Sequence, residues 1–566
     1  VPTLQQTTTA VLRRRGLSEE EAIGRFFEPK LAHLTPPEAM KDRAEASERI
    51  ARAVRAREII CVFGDYDADG ITSAALLTDV LRALGAEVRP LIADRFDGGY
   101  GLSAEALVRV FATGATLLIT CDCGTSDHPR LRDAQKRGLD VVVIDHHRVP
   151  DEPLPALAFL NPHRPECGFA YKGLASVGLA LSICAALRSS LGAKIDLRHW
   201  LDLVALGTIA DVAPLDGDNR ALVRVGLGVL AHGVRPGIRA LAEVAKVTGP
   251  QVTGEDIAFR FAPRVNAPGR LAKGDLALEL LLARDATAAR GLAAEVDQIC
   301  ERRKLLDRTI LAEALVELSD PGLAALPVIV LGREGWHQGV VGIVAGRLAS
   351  RFGKPTIVIG FDGAEGRGSA RGPAGVRLYT MLGRAREHLL GFGGHEAAAG
   401  VHLEASKLDS FRQAFAAAAL EIPCLDVPRY DEADAVFVAG DDAATVTTEL
   451  SRFEPCGQGN PAPRLSFPGV RVRVARVVGE EHLKLEFDLP TDGSAASAAS
   501  AASSPPGRSV RTLSAFGYRL GRVAPKVGDR VDVTGALRPD AWRGNGAVEL
   551  RIHGIAAEGS PPVLSE

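Results

Sequence analysis

Between residues 57 and 145 the apolar positions fall into short runs separated by longer, partly polar stretches. REIICVFG, EVRPLIAD, ATLLITCD and LDVVVID predict strands, and Val141 to Ile144 in the last reads as buried on both faces. ITSAALLTDVLRALG and HPRLRDAQKRG between them carry helical spacing, and strands alternating with helices predict βαβ units around a parallel sheet. Residues 1–50 are helical in tone, and 171–245 is mostly helical (LASVGLALSICAAL, WLDLVALGTIADVAPL). One long helical stretch is predicted over 276–318, bridging two domains. Beyond it PVIVLG, VVGIVAGRLASRFG, PTIVIG and SKLDSFRQAFAAAALE predict a second, smaller α/β domain over 327–420. The tail changes to period two. VRVRVARV (470–477), HLKLEFDL (482–489), VRTLSAFGY (510–518), RVDVTGAL (530–537) and VELRIHGI (548–555) predict the strands of a small barrel. The low-complexity segment DGSAASAASAASSPPGRS cannot pack a core, so 492–509 reads as a flexible loop inside that barrel.

Composition narrows the class without naming a chemistry. A chain of 566 residues is too long for one core. With 46% hydrophobic and 24% charged residues it is an ordinary globular chain. The net charge of −3 gives no global basic signal, so any nucleic-acid surface has to be local. Eight scattered cysteines form no paired framework and suit a reducing cytoplasm. Cys121 and Cys123 have no second pair at zinc spacing, which argues against a structural zinc site. No apolar run is long enough to span a bilayer.

The chemistry lies where strands end. In FGDYDADGITS (63–73), Asp65, Asp67 and Asp69 occupy alternate positions directly after the first strand, and carboxylates so close repel one another unless a cation neutralises them. An EF-hand calcium loop would need a helix before it and a Glu six residues after the glycine. Here a strand precedes, and the residue six after Gly70 is Leu76. TCDCGTSD places Asp122 at the same sheet edge, VVVIDHH adds Asp145, His146 and His147, and GTIADVAPL adds Asp211 in an apolar surround. Each alone has a bland explanation as a helix cap or a solvated turn. Together they bring carboxylates and histidines to the carboxyl edge of a parallel sheet, where such folds bind ligands. Mixed Asp/His ligation suits manganese, with magnesium possible, better than thiolate zinc chemistry. Two such ions, about 3.5–4 Å apart, clamp both oxygens of a phosphoryl displacement.

DYDADG, the Asp122 segment, DHH and GTIADVAPL resemble, in this order, the four motifs of the DHH phosphoesterase superfamily. RFDGGYGL (95–102), PRVNAPGR (263–270), WHQGVVGIVAGRL (336–348), GSARG (368–372), GFGGHEAAAG (391–400) and PCGQGNPAP (455–463) narrow the resemblance to the RecJ single-strand-specific exonucleases. It implies an α/β fold: a parallel-sheet DHH domain and a smaller α/β DHH-associated domain joined by a long helix, plus a C-terminal OB-like β-barrel. The layout expected is an N-terminal helical segment (1–50), the DHH catalytic domain (51–245), a connecting helical segment (246–320), the DHH-associated substrate-binding domain (321–425), a linker (426–466) and the OB-like domain (467–560).

The resemblance also implies roles. Asp67 and Asp69 would bind separate ions, Asp122 would bridge both, His146 and Asp211 would complete one shell, and Asp65 would support the other. Asp145 would orient a neighbouring imidazole and His147 would contact the scissile phosphate. Ser369, Arg371, Arg95 and Arg270 would hold the 5′-terminal phosphate, and His395, Gly393 and Gly394 the phosphate nearer the metals. Arg264 and Asn266 of PRVNAPGR join the substrate-binding set. In the barrel, Arg471, Arg473 and Arg476 with Phe516, Tyr518 and Trp542 offer the charge and stacking faces of a single-strand groove. Trp336 admits either a stacking or a core role.

The expected activity is two-metal-ion (Mn2+ or Mg2+) hydrolysis of single-stranded DNA from a 5′ end to 5′-mononucleotides, in recombination and repair. The expected setting is a cytoplasmic monomer that works with single-strand-binding protein and a helicase, away from membranes. Another DHH phosphoesterase acting on oligoribonucleotides or cyclic dinucleotides is the alternative within the superfamily, but such enzymes generally lack the barrel. A catalytically dead DNA-binding scaffold is a third reading, and retention of Asp67, Asp69, Asp122, His146 and Asp211 argues against it.

Overall fold

The computed structural model describes residues 4–96, 100–247, 249, 251–425, 432–479, 481–489, 512–540, 543–544, 546–557, 560 and 563–564. The predicted loop at 492–509 and Trp542 lie outside these. Contacts divide the chain into two compact units. One comprises Thr35–Ala213 and Val225–Pro428, the other Val1–Leu34, Pro214–Arg224 and Arg429–Glu566.

The larger unit contains two sheets. The first runs β1 (Ile59–Gly64), β2 (Glu87–Ile92), β3 (Leu117–Cys121), β4 (Asp140–Ile144) and β5 (Ala158–Leu160), in spatial order β2-β1-β3-β4-β5 and parallel throughout. β1, β3, β4 and β5 are almost wholly buried, as their apolar runs require, whereas β2 mixes buried and exposed positions. The chain leaves β1 towards β2 and then crosses back to build β3, β4 and β5. The switch point therefore lies between β1 and β3, and ligand sites form outside the carboxyl ends there.

The second sheet is mixed rather than all parallel. β6 (Ile329–Glu334) pairs parallel with β7 (Thr356–Asp362); β8 (Glu365–Arg371), β10 (Ala398–Glu404) and β9 (Gly391–Gly394) continue antiparallel. GSARG and GFGG thus lie largely on strands. The long helical stretch predicted over 276–318 is two helices, Asp275–Leu282 and Ala286–Glu317. Asp285 breaks it by accepting hydrogen bonds from Thr287 N and Ala288 N, as an N-cap does.

In the other unit, the short β11 (Ala435–Val436) pairs parallel with β12 (Leu465–Val478), and β12, β13 (His482–Asp488), β14 (Thr512–Gly517), β16 (Val548–Ala557) and β15 (Arg530–Pro539) follow one another round a barrel that β12–β15 pairing closes. Val11, Leu12 and Phe27 of the N-terminal helices share its core with Phe453, Phe467 and Phe487. Arg220, buried in the short middle segment, binds the rest together. Its guanidinium donates to the carbonyls of Phe26, Arg452, Phe453, Glu454 and Pro455 and lies 3.9 Å from the Phe26 ring. On the barrel, Phe516 and Tyr518 meet edge to face at 5.0 Å and Arg551 covers Tyr518, whereas Arg473 is paired with Asp488 at 2.7 Å. Among the described residues, no helix is long and apolar enough to cross a membrane.

Candidate active site

Register places the acids. Gly64, Cys121, Ile144 and Leu160 end neighbouring strands side by side, and the ladder continues one residue further: Asp65 N donates to Cys121 O, Asp122 N to Ile144 O and Asp145 N to Leu160 O. Asp65, Asp122 and Asp145 therefore stand in one row across the sheet edge. Asp122 takes φ +62°, a left-handed conformation that Asp accepts more readily than most residues. The DYDADG turn folds tightly over the row. A Cβ on Gly70 would lie 2.5 Å from the Asp65 backbone, so only glycine fits there.

Helices bring the other donors. Asp67 caps the helix Ala68–Ala83, its Oδ1 accepting from Asp69 N and Gly70 N. Asp69 accepts from Ser176 N (2.7 Å) and Val177 N (2.9 Å) at the start of the helix Ser176–Ser190. Asp211 ends the helix Leu201–Ala210. Donor atoms of Asp69, His146 and Asp211 lie within 4.8 Å of one another, as do those of Asp65, Asp67 and Asp122, and those of Asp122, His146 and His147. Asp67 and Asp69 thus fall in different groups, with Asp122 next to both sets.

Electrostatics sets the protonation. Burial first, then the charge of Asp67, pushes Asp69 up to about 7; burial, then Asp69 and Asp67, pushes Asp211 up to about 9. Asp65 and Asp122 rise for the same reasons. Burial and the neighbouring His147 charge lower His146 to about 4, leaving a neutral imidazole. Its Nε2 is buried without a hydrogen-bond partner, 3.2 Å from Asp122 Oδ1, and Asp65 Oδ1 is likewise orphaned. Repelling carboxylates around an unprotonated nitrogen fit divalent cations with a preference for oxygen and imidazole donors.

Asp145 belongs to a different arrangement. Burial works to raise it, but His147 outweighs this and holds it at about 2. Asp145 Oδ1 lies 2.7 Å from His147 Nδ1 and also accepts from His146 N, while Oδ2 accepts from Thr125 N. His147 is correspondingly raised to about 9, against the effect of its burial. Tyr100 was not among the sequence candidates; its hydroxyl donates to Asp122 O (2.7 Å) and lies 3.0 Å from His147 Nδ1. It belongs to the same RFDGGYGL stretch as Arg95. Ser176, which donates to Asp122 Oδ1, carries no comparable signal.

Beside the acids lies a cavity of about 1090 Å³ lined by Asp67, Asp211, His147 and His395, and by Arg95, Arg270, Ser369 and Arg371. Ser369, Gly400 and Gly393 are cross-strand neighbours on β8, β10 and β9, and the two glycines leave that sheet face bare beside Gly394. Among the described residues Arg95, Arg270 and Arg371 have no carboxylate within ion-pair distance, and Arg95 Nε is buried without a partner. Burial, then the charges of Arg95, Arg303 and Arg371, lowers Arg270 to about 10. Half-buried cations this close to one another call for an anion.

Two residues differ from expectation. Arg264 does not line the cavity. Its guanidinium is tied to Asp297 (2.8 Å) and to the carbonyls of Arg260 and Val244, because the helical turn Ala262–Val265 directs it towards the long helix. Asn266 does line the cavity, but its Oδ1 accepts from Ala68 N (2.7 Å) and so steadies the acidic turn. Trp336 is a core residue, its Nε1 donating to Glu313.

A parallel sheet with this acidic edge, facing a bare glycine-rich sheet face, defines a protein of the DHH class. The DHH family N-terminal domain matches residues 59–208, the DHHA1 domain 325–421 and the RecJ OB domain 434–554. The single-stranded-DNA-specific exonuclease RecJ of Dickeya dadantii (strain 3937) is 38% identical over 513 residues, covering 85% of this chain and 87% of the relative. That of Bacillus subtilis (strain 168) is 32% identical over 552 residues, 97% and 67%. The crystal structure of RecJ in complex with Mn2+ from Thermus thermophilus superposes with a TM-score of 0.81 at 31% identity, covering 99% of this chain and 77% of that one. The chain belongs to the RecJ family of single-stranded-DNA-specific exonucleases.

Proposed function

We propose that the chain hydrolyses single-stranded DNA from the 5′ end, releasing 5′-mononucleotides, with Mn2+ or Mg2+ held by Asp65, Asp67, Asp69, Asp122, His146 and Asp211. The observation that carries this reading is that one cavity is lined both by cation-seeking acids and by arginines without a carboxylate partner among the described residues. When bound, two divalent ions supply Lewis acidity at the phosphorus and at the leaving oxygen. The protein's own groups do the rest. Arg95, Arg270, Arg371 and Ser369 grip the terminal phosphate, which positions the next phosphodiester against the acidic row. His395, with the bare backbone of Gly393 and Gly394, steadies that phosphodiester. Asp145 fixes His147 through Nδ1 and keeps it protonated, so its Nε2–H is available to a non-bridging oxygen of the scissile phosphate. A barrel with an aromatic pair under an arginine suits a sequence-tolerant strand.

Within the same reading the chain acts as a cytoplasmic monomer in recombination and repair, on strand opened by a helicase and coated by single-strand-binding protein. The test is a time course with manganese on 5′-labelled and 3′-labelled single strands. Immediate release of labelled mononucleotide from the 5′ label, with stepwise shortening of the 3′-labelled strand, is expected. Internal cuts, or loss beginning at the 3′ end, would overturn it, as would full activity in Asp122→Ala.

A further inference from the structure

A second cavity, of about 930 Å³, opens on the other side of the histidines. His147 and His395, whose rings lie nearly parallel at 6.3 Å, line both cavities, so the two spaces meet at this pair. The far side is built by the segment that follows β4 and by the turn after β5, and nothing assigned so far uses it.

Its charges are mostly spoken for. Arg164 is held by Asp42, Glu166 and the Phe159 carbonyl, and Glu152 pairs with Arg132. The exposed Asp151 and Arg148 are the exceptions, and Arg148 is the only cation of the two. It is exposed, lines the cavity next to His147, and has no hydrogen-bond or ion-pair partner among the described residues. Its charge acts on His395 together with that of His147, after the larger effect of burial. A cation without a partner therefore sits directly past the histidine pair, and the exposed His163 ring lies in the same cavity.

Direction follows from connectivity. With a 5′ terminal phosphate on the arginines of the first cavity, the terminal nucleotide fills that cavity and the scissile phosphate meets the acidic row. Past His147 and His395, the residues both cavities share, the second cavity lies open to the strand that follows. We infer that the second cavity receives the nucleotide immediately 3′ of the scissile bond, and that Arg148 binds the phosphate that follows it. This rests on the exonuclease reading above and adds a subsite to it.

The test uses the full-length chain with manganese and a 5′-phosphorylated oligothymidylate, reading release of the first mononucleotide under single turnover. A neutral methylphosphonate at the second internucleotide linkage removes the charge that Arg148 would meet. Wild type is expected to slow about tenfold on the modified strand, the size of one charge-assisted contact. R148Q is expected to slow about tenfold on the unmodified strand and no further on the modified one, because both changes delete one interaction. R148K should keep most of the sensitivity. Penalties that multiply in R148Q, a wild type indifferent to the modification, or an equal penalty from a methylphosphonate at a distant linkage would overturn the inference. Failure of wild type to release mononucleotide from the unmodified strand would instead overturn the exonuclease reading.

Discussion

Replacing Asp122 by asparagine is expected to abolish activity and yet stabilise the metal-free chain. Asp122 is 2% exposed and shares a sphere of 4.8 Å with donor oxygens of Asp65 and Asp67. Two full charges at that distance repel by about 3.5 kcal/mol at an effective dielectric constant of about 20. Proton uptake by the neighbours relieves part of this, leaving a net gain of about 2–3 kcal/mol for the neutral amide at about pH 8. Asparagine keeps the Ser176 hydrogen bond and accepts the left-handed φ of this position.

The pH dependence has a definite sign. A carboxyl whose folded pKa is raised contributes stability that is fully present below its unfolded value and is lost as pH rises through the folded value. With Asp69 at about 7 and Asp211 at about 9, the metal-free wild type weakens from about pH 4 to about pH 9, and the advantage of the variant shrinks on acidification. Manganese at 100 times its Kd should return about 2.7 kcal/mol to wild type and far less to the variant. Denaturant unfolding followed through Trp200 and Trp336, both in the larger unit, measures this with EDTA and with manganese. The order of stabilities should reverse between the two conditions. A variant weaker than wild type in EDTA at about pH 8, or one stabilised by manganese as much as wild type, would refute the charge-cluster argument.

Four further outcomes are expected. Arg371→Gln should reduce kcat/KM at least tenfold on a 5′-phosphorylated strand and far less on a 5′-hydroxyl strand, read in parallel assays. Arg264→Met should leave that discrimination intact while lowering stability by about 1–3 kcal/mol, seen as faster hydrogen exchange around Asp297. Tyr100→Phe should weaken manganese binding about tenfold in a metal titration, because the hydroxyl fixes both the Asp122 backbone and His147. Arg220→Met leaves buried carbonyls unpaired and should cost about 3 kcal/mol, with exchange accelerated in β12 and β13 but not in β1.

The strands and most helices were legible because burial writes itself into apolar runs, and VVVIDHH shows an inner strand and its functional edge in seven letters. β5 was not, since AFL is too short to show any period. The mixed order of the second sheet depends on which strands pair, and pairing leaves little trace in a single strand. Among the site residues, the acids were readable from spacing. Arg264 was misplaced because a motif shows adjacency in sequence, not the direction in which a helical turn points each side chain. Tyr100 acts through its hydroxyl on a backbone carbonyl, a contact no side-chain pattern encodes.

The three-segment make-up of the barrel unit has a consequence in time. At a synthesis rate of about 5–20 residues per second, the first 34 residues wait about 20–80 s before residue 429 is made. Throughout that interval Val11, Leu12 and Phe27 have no barrel core to enter, and Arg220 has no Phe453 or Pro455 carbonyl to bind. These apolar side chains thus stay open to aggregation and proteolysis longer than the parts of the same core that are made later. For the same reason, a fragment cut at 434–554 omits both early pieces of its own core, and a barrel meant to fold alone has to be assembled from all three segments.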